Sequence, residues 1–443
     1  MATTTSEVHR QLVHAAAGGF AFLLRDLVWW QAAMLAAAAL TVNVTLLPRM
    51  APRLFRAGDL DRPWRSGIVI YPLAVLALIL VFARRLDLAA SAWAILAAGD
   101  AAATLVGAHV RTPALPWNPR KSIGGLAAFL VAGGAAGVWL MLWTTESAAP
   151  QWWLVAMPMA AAVVAGFVET APIRLDDNIS VPIAAALALA SLAAVDPTVF
   201  MDAVMVSAGA FAFGAGLNLV VAAGGLAAAT VTGPGALAGA AIGTVIFAGA
   251  GWSGWLLLIA SFAFAVATTR LGHRRKAALG IAEARGGRRG PANAIANTGV
   301  AAWAAAVALG MPDPSWAWLA LAAALVTGAS DTVASEVGKA WGRTTWLVPG
   351  FGRVPPGTSG AISLEGTAAG LAAAAALSSL AWGVGLIAPA AIVLVVAAAT
   401  VASLVEGALG AAFEASGILD NDALNLVNTL VGAGLALAFR AVL

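Results

Sequence analysis

Apolar runs of about 18 residues or more recur from one end of the chain to the other, and that feature decides what it can fold into. A helix needs roughly 20 apolar residues to cross the hydrocarbon layer, so repeated runs of this length describe a polytopic membrane protein. A membrane barrel would show short segments of alternating polarity, and that alternation is missing. Helices remain, because a segment inside lipid must pair its own backbone polar groups. The expected fold is all-α, with about 15 transmembrane helices at 11–24, 27–47, 66–83, 88–110, 122–144, 152–171, 178–195, 198–222, 229–250, 252–270, 292–311, 316–340, 361–380, 383–410 and 422–441. With 61% hydrophobic and only 10% charged residues, little is left for a soluble domain.

Several chemistries are excluded at once. No cysteine is present, so disulfides, thiolate metal sites and thiol nucleophiles are ruled out. His9, His14, His109 and His273 are scattered and form no zinc-type spacing. The N-terminal stretch MATTTSEVHRQLVHAAAGG has no basic leader region or convincing cleavage site, so no removable signal peptide is expected. The net charge of +3 reflects loop arginines, and no nucleic-acid partner is expected.

Those arginines set an orientation. With the N-terminus in the cytoplasm, 20 of the 24 Lys and Arg residues fall on the cytoplasmic side, as the positive-inside rule asks. The arginines of 48–65 and 271–291 read as loop and headgroup charges. Tryptophans at span ends, such as Trp29, Trp30, Trp152 and Trp153, fit an interfacial belt. The expected location is a bacterial cytoplasmic membrane.

Four short blocks occur twice, in the same order. GDAAATLVG around Asp100 matches SDTVASEVG around Asp331; SIGGLAA from Ser122 matches SLEGTAA from Ser363. AGFVET around Glu169 matches ASLVEG around Glu406, and LDDNI around Asp177 matches LDNDALN around Asp422 and Asn425. Four ordered matches argue for a duplicated or fused pair of homologous units, 1–196 and 197–443. The copies start an even number of helices apart, so they are expected to face the same way across the membrane.

All four blocks converge on the cytoplasmic ends of their helices. A carboxylate in a span is unfavourable by roughly 2.5–3.5 kcal/mol at the bilayer centre, so it is seldom idle. Carboxylate and amide oxygens without cysteine or clustered histidine suit a hard cation such as Mg²⁺, whose coordination substrate phosphates usually complete. Candidate phosphate partners lie nearby. WNPRKSIGG places Arg120 and Lys121 before a helix start at Ser122, where free N–H groups favour an anion. Lys121 is one of only three lysines. In the second half, PGFGRVPPGTSGAISLEGT offers Arg353 and a glycine-rich turn with Gly357, Thr358, Ser359 and Gly360. Glu336 and Lys339 have no counterparts in the first copy. They read either as a site for a charged lipid phosphate or as a plain helix end.

With these motifs in view, residues 1 to about 195 resemble the phytol kinase and dolichol kinase family of membrane lipid kinases. The positions that carry the resemblance are Glu7, Arg10 and His14 of EVHRQLVH, then GDAAATLVG, WNPRKSIGG, Glu169, and DDNISVP from Asp176 to Pro182. Residues from about 200 to 443 resemble the sister family that contains phytyl-phosphate kinase. Here the matches are TGPGALAGA (Thr232 to Ala240), GPANAIAN (Gly290 to Asn297), SDTVASEVG, VPPGTSGAISLEGT and NDALNLVN (Asn421 to Asn428). The resemblance implies two consecutive phosphorylations of an isoprenoid alcohol such as phytol or geranylgeraniol, first to the monophosphate and then to the diphosphate. It also implies CTP as donor.

The expected mechanism is metal-assisted phosphoryl transfer in each half. Asp100, Glu169 and Asp177, and in the second half Asp331, Glu406 and Asp422 with Glu336, are the catalytic and Mg²⁺-holding candidates. Arg120, Lys121, Ser122 and Asn178 would hold nucleotide in the first half. Lys339, Arg353, the Gly357–Gly360 turn, Ser363, Glu365 and Asn425 would do so in the second. The isoprenoid chain would enter from the membrane lipid. A cytidylyltransferase making a CDP-lipid would use the same groups, and an ion-coupled transporter is the alternative from another class.

Overall fold

The computed structural model describes residues 5–50, 66–348, 350, 352–414 and 416–443. The arginines of the 48–65 loop beyond Met50, together with Pro349 and Phe351 of the glycine-rich turn, lie outside the described residues, as do the side chains of Glu7 and Arg10. The chain divides into two compact units, Met1–Pro197 and Thr198–Leu443.

The first unit runs α1 (Thr5–Gly18), a 3₁₀ segment (Gly19–Arg25), α2 (Trp29–Thr45), α3 (Leu47–Met50), α4 (Gly67–Val81), α5 (Leu86–His109), a β1–β2 hairpin (Ala114–Leu115, Asn118–Ser122), α6 (Ile123–Thr144), α7 (Gln151–Glu169) and α8 (Asp177–Leu192). The helix α9 (Pro197–Val206) opens the second unit. It continues through α10 (Ala208–Ala227), α11 (Gly233–Arg270), α12 (His273–Ala278), α13 (Pro291–Ala308) and α14 (Ser315–Trp341). A small sheet, β3 (Thr345–Leu347), β4 (Arg353–Val354) and β5 (Ala361–Ser363), then leads into α15 (Leu364–Gly383), α16 (Ala391–Leu409), a π-helical turn (Gly410–Glu414) and α17 (Asn421–Val442).

The fold is all-α with two small hairpin-like sheets, as expected, but the count of 15 spans is not reached. Among the described residues nine helices are long and apolar enough to cross a membrane, or ten if Asp177–Leu192 and Pro197–Val206 form one broken span. The apolar run at 11–24 breaks at Gly18 into a helix and a 3₁₀ segment. The run at 198–222 breaks at Ser207 into α9 and α10. Helix α4, at 15 residues, is a short one. Hydropathy registers apolar length but not such interruptions.

One long helix is two passes. Straight, the 38 residues of α11 would extend about 57 Å. Yet the two ends meet: Arg270 donates to the carbonyl of Ala228 at 2.7 Å, and Arg289 bridges Val231 by backbone and Thr269 by side chain. The reversal occurs at Gly251, whose φ of 57° and ψ of −151° lie in a region open only to glycine. It falls between the two spans expected at 229–250 and 252–270. Gly251→Ala should destabilise the second unit by about 1–3 kcal/mol, read as a lowered Tm in detergent. An unchanged Tm would show that the reversal does not need glycine.

Each unit is organised round one buried helix, α5 in the first and α14 in the second, on which leucine and alanine are buried on nearly all sides. Small residues let neighbours approach closely, which replaces the hydrophobic effect as the packing force in lipid. A Cβ on Gly133 of α6 would stand 3.2 Å from the Ile95 carbonyl of α5, and Ser91 donates to Gly137 O at 3.0 Å. Gly125 packs on Gly107 where α6 meets α5, and Gly366 packs on Gly338 where α15 meets α14.

Candidate functional site

The acids of the first unit come from three helices. Asp100 sits on the half-buried face of α5, Glu169 is the last residue of α7 and is 3% exposed, and Asp177 is the first residue of α8. One carboxylate oxygen of each lies within 4.8 Å of those of the other two. Helix termini make this possible: α7 ends where α8 begins, and Asp176 caps α8 by accepting from Asn178 N at 2.9 Å. The amide of Asn178 is turned to the same carboxylate at 2.8 Å.

The β1–β2 hairpin brings the cation. Asn118 Nδ2 donates to the carbonyls of Thr170 and Ala171 at 3.1 and 3.3 Å, and Trp117 Nε1 to Thr170 Oγ1 at 3.2 Å, which ties the hairpin to the end of α7. Lys121 Nζ then bonds Glu169 and reaches Asp177 Oδ2 at 3.4 Å. Burial opposes its charge, but Asp177 and Glu169 outweigh that and hold its pKa above the ordinary lysine value. Arg120 is exposed beside it. Ser122 caps α6, its hydroxyl accepting from Gly125 N at 3.2 Å.

His14 is a position of the EVHRQLVH resemblance without an assigned role in the sequence, and the structure sets it beside the acids. His14 Nε2 lies 3.8 Å from Asp100 Oδ2, and its ring is 4.3 Å from that of Tyr71, whose hydroxyl accepts from Trp93 Nε1 at 2.6 Å. The signal that could have found it is the EVHRQLVH motif from Glu7 to His14, which carries part of the family resemblance.

The second unit distributes the corresponding residues differently. Asp331 is buried on α14 beside Ser403 of α16; Glu406, one turn further along α16, is within electrostatic reach of Asp331 and Glu414. Asp422 at the start of α17 is instead within reach of Arg289. Among the described residues these acids do not close into a three-carboxylate group like that of the first unit. Glu336 faces cations: it bonds Lys276 and lies 3.3 Å from Lys339, which also meets Glu283 at 3.1 Å. At 2% exposure Glu336 is no exposed helix-end charge. Burial works against the charge of Glu283, yet Lys339, Arg289 and Lys276 together hold its pKa below the usual carboxylate value.

The glycine-rich turn is internally bonded. Gly357 and Gly360 have φ of 87° and 71°. Thr358 Oγ1 donates to Pro355 O at 2.8 Å, and Ser359 bonds Glu414. Ser363 caps α15, accepting from Gly366 N at 3.0 Å, and Glu365 accepts from Arg343 N at 3.4 Å. Arg353 is exposed on β4 and Asn425 is half-buried on α17.

Within the charged stretch 271–291, where the arginines read as loop and headgroup charges, Lys276 is the one cation that is fully buried among the described residues. It is 0% exposed and bonds the carbonyls of Thr268 and Thr269 as well as Glu336. Lysine rarity was the available signal: all three lysines of the chain pair with carboxylates.

Fold and site together define a polytopic helical membrane protein with a carboxylate–lysine cluster at the ends of its helices. The chain belongs to the integral membrane protein family DUF92, whose model matches residues 216–433. An uncharacterized membrane protein of Synechocystis is 44% identical over 204 residues, which cover 45% of this chain and 79% of that one. Protein VTE6, chloroplastic, of Arabidopsis thaliana is 37% identical over 206 residues, 45% of this chain and 62% of that protein. Probable phytol kinase 2, chloroplastic, of Oryza sativa is 29% identical over 198 residues, 40% of this chain and 63% of that one. The chain thus spans less than two thirds of the two plant proteins. No solved structure matches it.

Proposed function

We propose that the chain is an isoprenoid alcohol kinase that works in two steps, with the first unit making the monophosphate and the second the diphosphate from CTP. The observation that carries this reading is the Asp100–Glu169–Asp177 cluster with Lys121 against it. Three crowded carboxylates facing one ammonium carry excess negative charge, and their donors are all oxygen, which fits Mg²⁺. Asp100, Glu169 and Asp177 would hold the ion; when bound, it neutralises charge on the donor's phosphates.

Lys121 and Arg120 would face nucleotide phosphate oxygens, and one carboxylate would take the alcohol proton. The alcohol oxygen bonds to the γ-phosphorus of CTP as the bond to the bridging oxygen breaks and CDP leaves. In the second unit the nucleophile is a phosphate oxygen that is already ionised, so no base is needed there. A less complete acid cluster suits that difference. Kinship with proteins named phytol kinase supports the substrate class. The matching parts of the two units support a common origin: a central helix bearing Asp, a serine-capped helix after it, and a glycine-on-glycine crossing.

The test is purified protein with phytol, Mg²⁺ and CTP labelled at the γ-phosphate. Label should appear first in phytyl monophosphate and then in the diphosphate. Label released as pyrophosphate, with cytidine joined to lipid, would overturn the kinase reading in favour of a cytidylyltransferase.

A further inference from the structure

The second unit contains a cavity that has no part in the chemistry above. Its volume of about 130 Å³ lies between α10, both arms of α11, α13 and α14, several times the roughly 10–15 Å³ that one water needs. Its walls are largely apolar, with Val221, Ile242, Leu258 and Phe262 among them. TGPGALAGA and GPANAIAN, which phosphoryl transfer leaves without a role, supply facing parts of this wall: Gly235 and Gly239 from the first, Asn293 and Asn297 from the second.

The start of α13 makes one side of the cavity polar. Asn293 and Asn297, one turn apart, stack on one face of α13, and Arg289, just ahead of the helix, reaches Asn293. Arg289 donates from Nη1 to Asn293 Oδ1 at 2.8 Å and from Nη2 to Thr269 Oγ1 at 3.3 Å, so its side-chain hydrogen bonds go to neutral oxygens. Its Nε is buried and has no partner. The same holds for Asn297 Oδ1 and for Ser261 Oγ, the latter on a residue only 5% exposed. Buried polar atoms are nearly always paired, so three orphans round one space call for a ligand that pairs them. The cavity also reaches the reacting end of the unit, since Thr332, next to Asp331, lines it.

We propose that this cavity holds the phosphate-proximal part of the hydrocarbon chain of a membrane lipid carrying a phosphate monoester, with the Arg289 guanidinium as the phosphate anchor. This rests on the reading of the second unit as acting on an isoprenyl monophosphate. A phosphate monoester offers only acceptors and negative charge, which a guanidinium matches better than any other side chain. Gly239, where an added Cβ would meet nothing, keeps the space open for a single chain, while Gly235 lets the Arg289 carbonyl approach α11 closely.

The experiment measures binding to the full chain in nanodiscs without nucleotide. The ligands are phytyl monophosphate, phytol, dioleoylphosphatidylglycerol and inorganic phosphate. Arg289→Gln should weaken phytyl monophosphate roughly 10- to 100-fold and change phytol by less than about threefold. Gly239→Phe, whose Cβ position is open space, should weaken both lipids by about tenfold or more while leaving the fold intact. The proposal is overturned if neither variant changes phytyl monophosphate affinity. It is also overturned if the phospholipid or inorganic phosphate competes as well as the monoester lipid. Normal binding in both variants alongside two-step turnover would remove the cavity and leave the kinase standing. Variant-sensitive binding with no phosphoryl transfer would do the reverse.

Discussion

Asp100→Asn is expected to lower conversion of the isoprenoid alcohol to its monophosphate by about 10³-fold. Conversion of added monophosphate to diphosphate should change by less than about twofold, because that step is assigned to the acids of the second unit. The amide keeps the size of the carboxylate and removes its charge. The cluster of Asp100, Glu169 and Asp177 then has one anionic oxygen donor fewer, and His14 loses the acid 3.8 Å away. Asp331→Asn should give the mirror result. Product analysis by thin-layer chromatography with each substrate supplied alone separates the steps. If both variants retain both activities, these aspartates are not where the chemistry occurs.

Lys276→Met is expected to destabilise the second unit by about 3–5 kcal/mol, since removing one partner leaves a buried charge uncompensated. Glu336 is 2% exposed and, among the described residues, would keep one ion-pair partner, Lys339, itself shared with Glu283. The carbonyls of Thr268 and Thr269, near the end of α11, would also lose their donor. The companion change Glu336→Gln, combined with Lys276→Met, should restore most of the loss, and a double-mutant cycle followed by thermal unfolding in detergent reads that coupling. Additive effects would mean that the two side chains do not stabilise one another.

Much of the helical framework was legible in the chain. Expected spans at 88–110, 122–144, 316–340 and 422–441 fall within two residues of α5, α6, α14 and α17. The reversal in α11 was legible too, because Gly251 stands between two apolar runs. The acids stood out for an energetic reason, namely that charge inside a greasy helix is rare unless used.

Other features were hidden. Lys276 stands in HRRK, and apart from the rarity of lysine nothing local distinguishes it from its exposed neighbours. The cavity draws its walls from four helices, and Arg289 acquires its meaning only from what stands opposite.

By itself, then, the sequence determined a membrane-spanning helical chain and which polar residues are too unfavourable in lipid to be incidental. Only the tertiary structure decided their partners: that Asp100, Glu169 and Asp177 close on one point, that Lys276 is sealed under Glu336, and that α11 and α13 enclose a space. The reason lies in the solvent. In water an apolar stripe marks the face a helix will bury, but in a bilayer lipid and protein interior are equally apolar. A helix such as α5 therefore carries no stripe that names its neighbour, and shape and rare polar contacts make the choice.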